Sequence, residues 1–242
     1  MNASTIFVIS KAGKAGKSTL AKQLIAPILG ADWIQIETFN ETGAGAKATI
    51  GGRKLGFVAD AIALQDGHKV IDIGISNYES SLKELEQIDG FADSIDFWVV
   101  PCQPIAGHIV ETLSTIDDLL NRLEVEPQKI IVIPNSVERP EEGTDDFRAV
   151  ISAARKIGFT FVESCIVQNP VFAMLSNDKR SIIEIANEKI DYPALIAAEP
   201  DSEKKGQLAN AKTLQSRTKF IARHLRGVWA SSPLSSLTSE GV

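Results

Sequence analysis

Ten residues near the start of the chain, Ser10-Lys11-Ala12-Gly13-Lys14-Ala15-Gly16-Lys17-Ser18-Thr19, combine the residue types that hold a polyphosphate. They follow an apolar run, Ile6 to Ile9, and precede apolar residues at helical spacing, Leu20, Leu24 and Ile28. Strand, glycine-bearing loop and helix in that order aim several backbone N–H groups and the positive end of a helix at one spot. Gly16-Lys17-Ser18 is the diagnostic triplet, in which the lysine reaches the β- and γ-phosphates and the serine hydroxyl ligates Mg²⁺. The usual pattern, G-x-x-x-x-G-K-[ST], has a glycine where Lys11 stands. A lysine-rich surface turn would account for the charges alone, but the strand-loop-helix context and the landmarks that follow favour a bound polyphosphate.

Two further landmarks carry groups that such a ligand needs. In Lys69-Val70-Ile71-Asp72-Ile73-Gly74 an apolar run is interrupted by one carboxylate and closed by glycine. A buried strand does not keep an aspartate at its end unless a cation faces it. Opposite the loop that cation is Mg²⁺, and Gly74 would let the backbone approach a γ-phosphate; the alternative is an aspartate that caps the next turn. The run Ile130 to Ile133 leads into Pro134-Asn135-Ser136-Val137. A side-chain amide at the C-terminal edge of a strand offers adenine a donor and an acceptor, although a lone asparagine there is as readily a turn residue.

These groups need a scaffold, and the hydrophobic pattern supplies one. The first helix closes near Gly30, with Pro27 shortening its regular part, and Trp33 to Glu37 is a short strand. Thr38 to Gly52 is polar and glycine-rich and reads as a mobile loop. Leu55, Val58, Ala59 and Ile62 predict a returning helix over 55–64. Phe97 to Val100 predicts a buried strand stopped by Pro101 and Pro104. Ile109, Leu113, Ile116, Leu120 and Leu123 then form a 3-and-4 stripe facing a sheet. Phe147 to Ile157 is amphipathic and closed by Gly158, Phe159 to Val162 is a further strand, and Asn169-Pro170 reads as an N-cap and first helical residue. Strands alternating with helices predict an α/β fold, a doubly wound, mostly parallel sheet with helices on both faces. On such sheets ligands sit at the C-terminal strand ends, where the landmarks fall.

The domain reading is a nucleotide-binding unit over 1–198, a linker and basic amphipathic helix over 199–229, and a serine-rich disordered tail over 230–242. In the C-terminal helix Ala211, Leu214, Ile221, Leu225 and Val228 form the apolar stripe, with Lys212, Lys219, Arg223 and Arg226 on the other side. Three readings follow: packing on the sheet or a partner subunit, binding of the DNA backbone, or attachment to a membrane surface through Phe220, Ile221, Leu225 and Trp229.

With 242 residues, 44% hydrophobic and 23% charged, the chain can bury a sizeable core. A net charge of −6 confines any nucleic-acid contact to a local patch. Cys102 and Cys165 are too few for a disulfide framework and imply a cytoplasmic setting. No apolar stretch approaches the ~20 residues of a membrane span. His68, His108 and His224 have no triad or metal spacing and read as surface residues, which ranks a metabolic ligase on the same fold low.

Over residues 4 to 190 the order of these motifs resembles the ParA/MinD group of P-loop ATPases. The likeness rests on the loop, Asp72-x-Gly74, Val99-Val100-Pro101-Cys102-Gln103-Pro104, Pro134-Asn135-Ser136-Val137 and Ile182-Ile183-Glu184-Ile185. Length and the basic C-terminal helix are most similar to the plasmid stability proteins called StbB. The resemblance implies a homodimer that closes around ATP and acts in plasmid stability, partition or conjugative transfer, in the cytoplasm, at the nucleoid or at the membrane surface. It further implies a plasmid-encoded DNA-binding partner and an adenine-reading Asn135. Members carry a signature lysine that reaches the partner's phosphates; here that position is Ala12, and Lys11 before it or Lys14 after it would take that role after a small shift of the loop, unless the contact is lost. They also place a water-orienting aspartate two residues beyond the position of Glu37, where this chain has Phe39. The substitution predicts weak ATP hydrolysis, or a non-hydrolysing scaffold that binds nucleotide structurally.

Overall fold

A computed structural model describes residues 3–37, 48–50, 67–138 and 145–238. Its centre is a parallel sheet in the order β3-β2-β4-β1-β5-β6-β7. The strands are β1 (Thr5–Val8), β2 (Asp32–Ile36), β3 (Ala48–Ile50), β4 (Lys69–Ile73), β5 (Phe97–Cys102), β6 (Ile130–Val137) and β7 (Thr160–Phe161). A short β8 (Ile166–Val167) pairs with the far end of β6. The doubly wound α/β architecture expected from the sequence is therefore present, with helices on both faces.

Strand alternation decides which helices each residue meets. Phe7, Ile71, Ile73, Ile34, Ile36 and Val132 face one layer, with Tyr78, Leu82, Ile116, Leu119 and Val150. Those residues belong to α2 (Tyr78–Leu85), α3 (Ala106–Asn121) and α4 (Arg148–Ile157). Ile6, Val8, Val70, Ile131 and Ile133 face the other layer, with Leu20, Leu24, Ile182 and Leu225. There α1 begins as Lys17–Thr19, passes through a π-helical stretch, Leu20–Ile25, and ends as Ala26–Leu29. The same layer holds α5 (Pro170–Met174), α6 (Ile182–Asn187) and α8 (Ser202–Ala230), with α7 (Tyr192–Ala198) leading into α8.

Several expected caps are in place. Gly30 (φ 66) and Gly158 (φ 101) end α1 and α4 in the left-handed region where glycine is unstrained. The Asn169 side chain accepts from Val171 N; outside those expectations, Ser181 and Glu184 form a capping box on α6.

Other expectations need correction. Pro101 does not stop its strand, because β5 runs on to Cys102 and pairs with β6 at Ile133 and Pro134. The Val99 carbonyl accepts from Ile9 N, so two residues later Pro101 turns its missing N–H toward the side that β1 has already left. Within the span read as a mobile loop, Ala48–Ile50 is an edge strand paired with β2. The helix expected over 55–64 lies outside the described residues.

The C-terminal segment differs most. Helix α8 begins at Ser202, inside the expected linker, with Asp201 as its N-cap. Residues Pro233–Thr238, read as part of a disordered tail, form a 3₁₀ turn with Leu234 wholly buried. Of the four apolar residues assigned to a membrane, Ile221, Leu225 and Trp229 are buried in the core and only Phe220 is exposed. The apolar stripe is thus spent on packing, and Lys212, Lys219, Arg223 and Arg226 face solvent. Among the described residues no helix is long and apolar enough to cross a membrane.

Burial of this kind gives α8 a structural role that mutation can measure. We expect Leu225→Ala to destabilise the fold by about 2–5 kcal/mol, and Lys219→Ala to stay within about 0.5 kcal/mol, both read from urea unfolding midpoints. Equal small effects would mean that the helix is a detachable appendage.

Candidate functional site

The loop from Ser10 to Gly16 wraps the N-terminus of α1 at the C-terminal edge of β1, beside the point where the strand order turns from β4 to β5. Its backbone is held from several sides. Lys11 N donates to Thr115 Oγ1 at 3.0 Å, Ala12 N to Ser10 Oγ at 3.0 Å, and Gln103 Nε2 to the Lys14 carbonyl at 2.9 Å. Lys14 (φ 59) and Gly16 (φ 97) take the left-handed conformation that lets the loop fold back on itself. Glycine is obligatory at 16 for a second reason: a Cβ there would run into the Asn135 side chain.

Lys17, the first residue of α1, is buried, and its ammonium donates to the carbonyls of Ser10 (3.3 Å) and Ala12 (3.1 Å). Burial pulls its pKa below the ordinary lysine value, and the carboxylates of Asp72, Glu37 and Glu111 oppose that shift.

Alternation along the strands brings the other groups beneath it. Asp72 lies two residues after Val70, so it faces the α1 layer, and it is in register with Val8 on one side and Gln35 on the other. Asn135 follows Ile131 and Ile133 on the same face of β6, and its Nδ2 donates to the Ala15 carbonyl at 2.7 Å.

Asp72 is 1% exposed, and neither carboxylate oxygen has a hydrogen-bond partner among the described residues. Burial raises its pKa from 3.8 to about 6; the Ser18 hydroxyl, Lys17 and Gln35 act in the opposite direction. Ser18 and Gln35 do not reach bonding geometry at the carboxylate, so they count as polar neighbours that soften the penalty. Gln35 Nε2 instead approaches Ser18 Oγ at 3.4 Å. A buried carboxylate without partners, beside a serine hydroxyl and at the foot of a phosphate-type loop, is the donor set that suits Mg²⁺. The residues present therefore fit that ion.

Gly74 is held by its neighbours at the end of β2. Its N–H donates to the Ile36 carbonyl at 3.0 Å, and the Glu37 carboxylate lies where a Cβ would be. The backbone N–H expected at a γ-phosphate is engaged within the sheet edge in this structure. Thr19, the last residue of the motif, continues α1 beside a small cavity that Trp33, Gln35 and Phe172 also line. Phe39, Asn40 and Glu41 lie outside the described residues.

Gln35, Gln103 and Asp118 were not among the sequence candidates, whereas Glu37 was one, as a carboxylate that could replace the water-orienting aspartate. Gln35 was legible in principle, as a polar residue alternating with Trp33 in an apolar strand. The others act through partners distant in sequence. Among the described residues no cluster of His, Cys, Asp and Glu forms a metal site, so the cation reading rests on Asp72 and Ser18 alone.

Comparison with known proteins supports the fold. No protein-family profile and no curated protein sequence matches this chain. Among solved structures, a single-residue variant of McdA from Cyanothece in complex with ATP is 13% identical, with a TM-score of 0.52 over 95% of this chain and 96% of that one. The cell division protein MinD of Aquifex aeolicus is 14% identical, with a TM-score of 0.50 over 93% and 98%. The chain thus shares the fold of these McdA and MinD structures.

The raised pKa of Asp72 has a definite consequence for stability. Its folded-state value, about 6, lies above the ordinary 3.8, so ionisation opposes folding: the penalty is absent below about pH 4 and complete above about pH 6. We expect Asp72→Asn to stabilise the nucleotide-free protein at about pH 7.5 by up to about 3 kcal/mol. The advantage should disappear at about pH 4 in chemical denaturation. A loss of stability at the higher pH would mean that the carboxylate is already partnered.

Proposed function

We propose that this protein binds ATP with Mg²⁺ in the loop from Lys11 to Thr19 and works as a nucleotide-switched homodimer in plasmid stability, partition or conjugative transfer. The observation that carries the reading is the buried Asp72 carboxylate, without a hydrogen bond among the described residues and close enough to Lys17 to feel its charge. In this reading Lys17 neutralises phosphate charge, and Ser18 and Asp72 hold Mg²⁺ directly or through water. The ion would screen the charge of the β- and γ-phosphates. Gly13, Ala15 and Gly16 present backbone to the phosphates, with Ala12 and Thr19 at the two ends of the cradle. Asn135 keeps Gly16 and Ala15 in place, and its preference for adenine rests on the family resemblance.

For Gly74 to meet a γ-phosphate, its N–H must leave the Ile36 carbonyl and the Glu37 carboxylate must move aside. That requirement supports a switch in which diphosphate and triphosphate states differ around β2 and β4. It also favours a second reading, a scaffold that holds nucleotide without turnover and works through a plasmid-encoded DNA-binding partner. The exposed Lys212, Lys219 and Arg223 on α8 are the surface we assign to DNA phosphates, with affinity falling steeply as salt rises.

ATP turnover and sedimentation mass, measured together for wild type and Lys17→Ala, test the proposal. We expect a dimer with ATP and Mg²⁺, a monomer with ADP, and a monomer throughout for Lys17→Ala. Turnover lost in Lys17→Ala excludes the scaffold. A wild-type monomer at every concentration with ATP and Mg²⁺ contradicts the switch.

A further inference from the structure

We propose that Lys11 works within its own chain, as a positioning residue that couples the phosphate loop to α2 through Asp118 of α3. This differs from a lysine that reaches a partner's phosphates. The coupling stands on the nucleotide-free geometry; only the second arm of its test rests on the ATP reading above.

Among the described residues Lys11 is held on α3. Its ammonium donates to Ser114 Oγ at 2.7 Å and to Asp118 Oδ2 at 2.7 Å, with a longer approach to the Ser114 carbonyl at 3.5 Å. An ammonium has three donors, and these contacts engage them. Its backbone N–H is also on α3, at Thr115 Oγ1. Asp118 is the junction. The oxygen that accepts from Lys11 also accepts from Tyr78 Oη at 2.8 Å, and the Lys11 ammonium lies 5.6 Å from the centre of the Tyr78 ring. Arg122 approaches the second oxygen at 3.8 Å and is itself held by Glu79 and Glu86.

Tyr78 opens α2, four residues after Gly74, so the first lysine of the loop and the first residue of this helix meet on one carboxylate. The Asp118 side chain is 12% exposed, and at that burial losing a charged partner is costly. A displacement of the Gly74 segment carries Tyr78 with it, and Asp118 and Lys11 must follow or give up a charge-assisted bond. Lys14, by contrast, is exposed at the crest of the loop, which makes it the lysine placed to face outward.

Hydrogen exchange by mass spectrometry on the full chain tests the coupling. In the first arm, without nucleotide, the reporters are the hydrogen-bonded amides of Ile9, Lys11, Ala12 and Leu20. Tyr78→Phe removes one hydroxyl far along the chain from those amides. We expect it to speed their exchange by about five- to tenfold. Asp118→Asn should do the same, Lys11→Met with Asp118→Asn should go no further, and Lys11→Arg should keep the wild-type rate. Wild-type rates in Tyr78→Phe, or additive effects in the double variant, overturn the coupling.

In the second arm, Mg²⁺ with a non-hydrolysable ATP analogue is compared with Mg²⁺ and ADP. We expect the difference in exchange over residues 78–85 to vanish in Lys11→Met and in Asp118→Asn alike. If Lys11→Met alone weakens analogue binding, and does so in proportion to protein dilution, Lys11 contacts a partner's phosphates and the proposal fails. If wild type binds neither nucleotide, the ATP reading fails while the first arm still decides the coupling.

Discussion

A buried ammonium and a buried carboxylate at the end of one parallel sheet set the terms for everything around them. Removing either charge from water costs several kcal/mol unless bonds or counter-charges replace the lost hydration. Lys17 recovers part of that cost from the carbonyls of its own loop, whereas Asp72 has no bond among the described residues. A fold that keeps such a carboxylate at neutral pH is kept ready for a cation. The same loop leads into the start of α1, a helix end that favours an anion. In the proposed function, cation and polyanion meet at this one place.

The sheet makes that arrangement through arithmetic of period two. Val70 and Asp72, Trp33 and Gln35, and Ile133 and Asn135 alternate onto the α1 face, so packing residues and site residues share one register. A one-residue slip in β4 would put Asp72 into the layer of α2 and α3 and Ile73 under the loop. On the opposite face α3 anchors the start of the loop through Lys11. α8, with its closing turn, completes the layer that supports α1. The site depends on the whole sheet being in register rather than on any one strand.

Much of this was legible in the sequence because it depends on neighbours along the chain. The glycine ends of two helices and the stripe of α3 are local patterns that the structure realises, and the triplet Gly16-Lys17-Ser18 opens a helix where the sequence placed one. What could not be read was set by distant partners. Pro101 continues a strand because β1 happens to end beside it. Asn135 is bound to Ala15, 120 residues earlier in the chain. Lys11 lies on Ser114 and Asp118, a pairing that no spacing rule announces. The serine-rich end looked solvent-bound by composition, yet Leu234 and Leu237 pack on the core and Thr238 accepts from Trp229 Nε1.

Binding of Mn²⁺ in place of Mg²⁺, followed by electron paramagnetic resonance with and without ATP, tests the central claim most directly. The account predicts a protein-bound ion that needs nucleotide, retained in Lys219→Ala and lost in Asp72→Asn and in Lys17→Ala. An ion bound equally well by Asp72→Asn in the presence of ATP would contradict it, because the buried carboxylate would then have some purpose other than the cation.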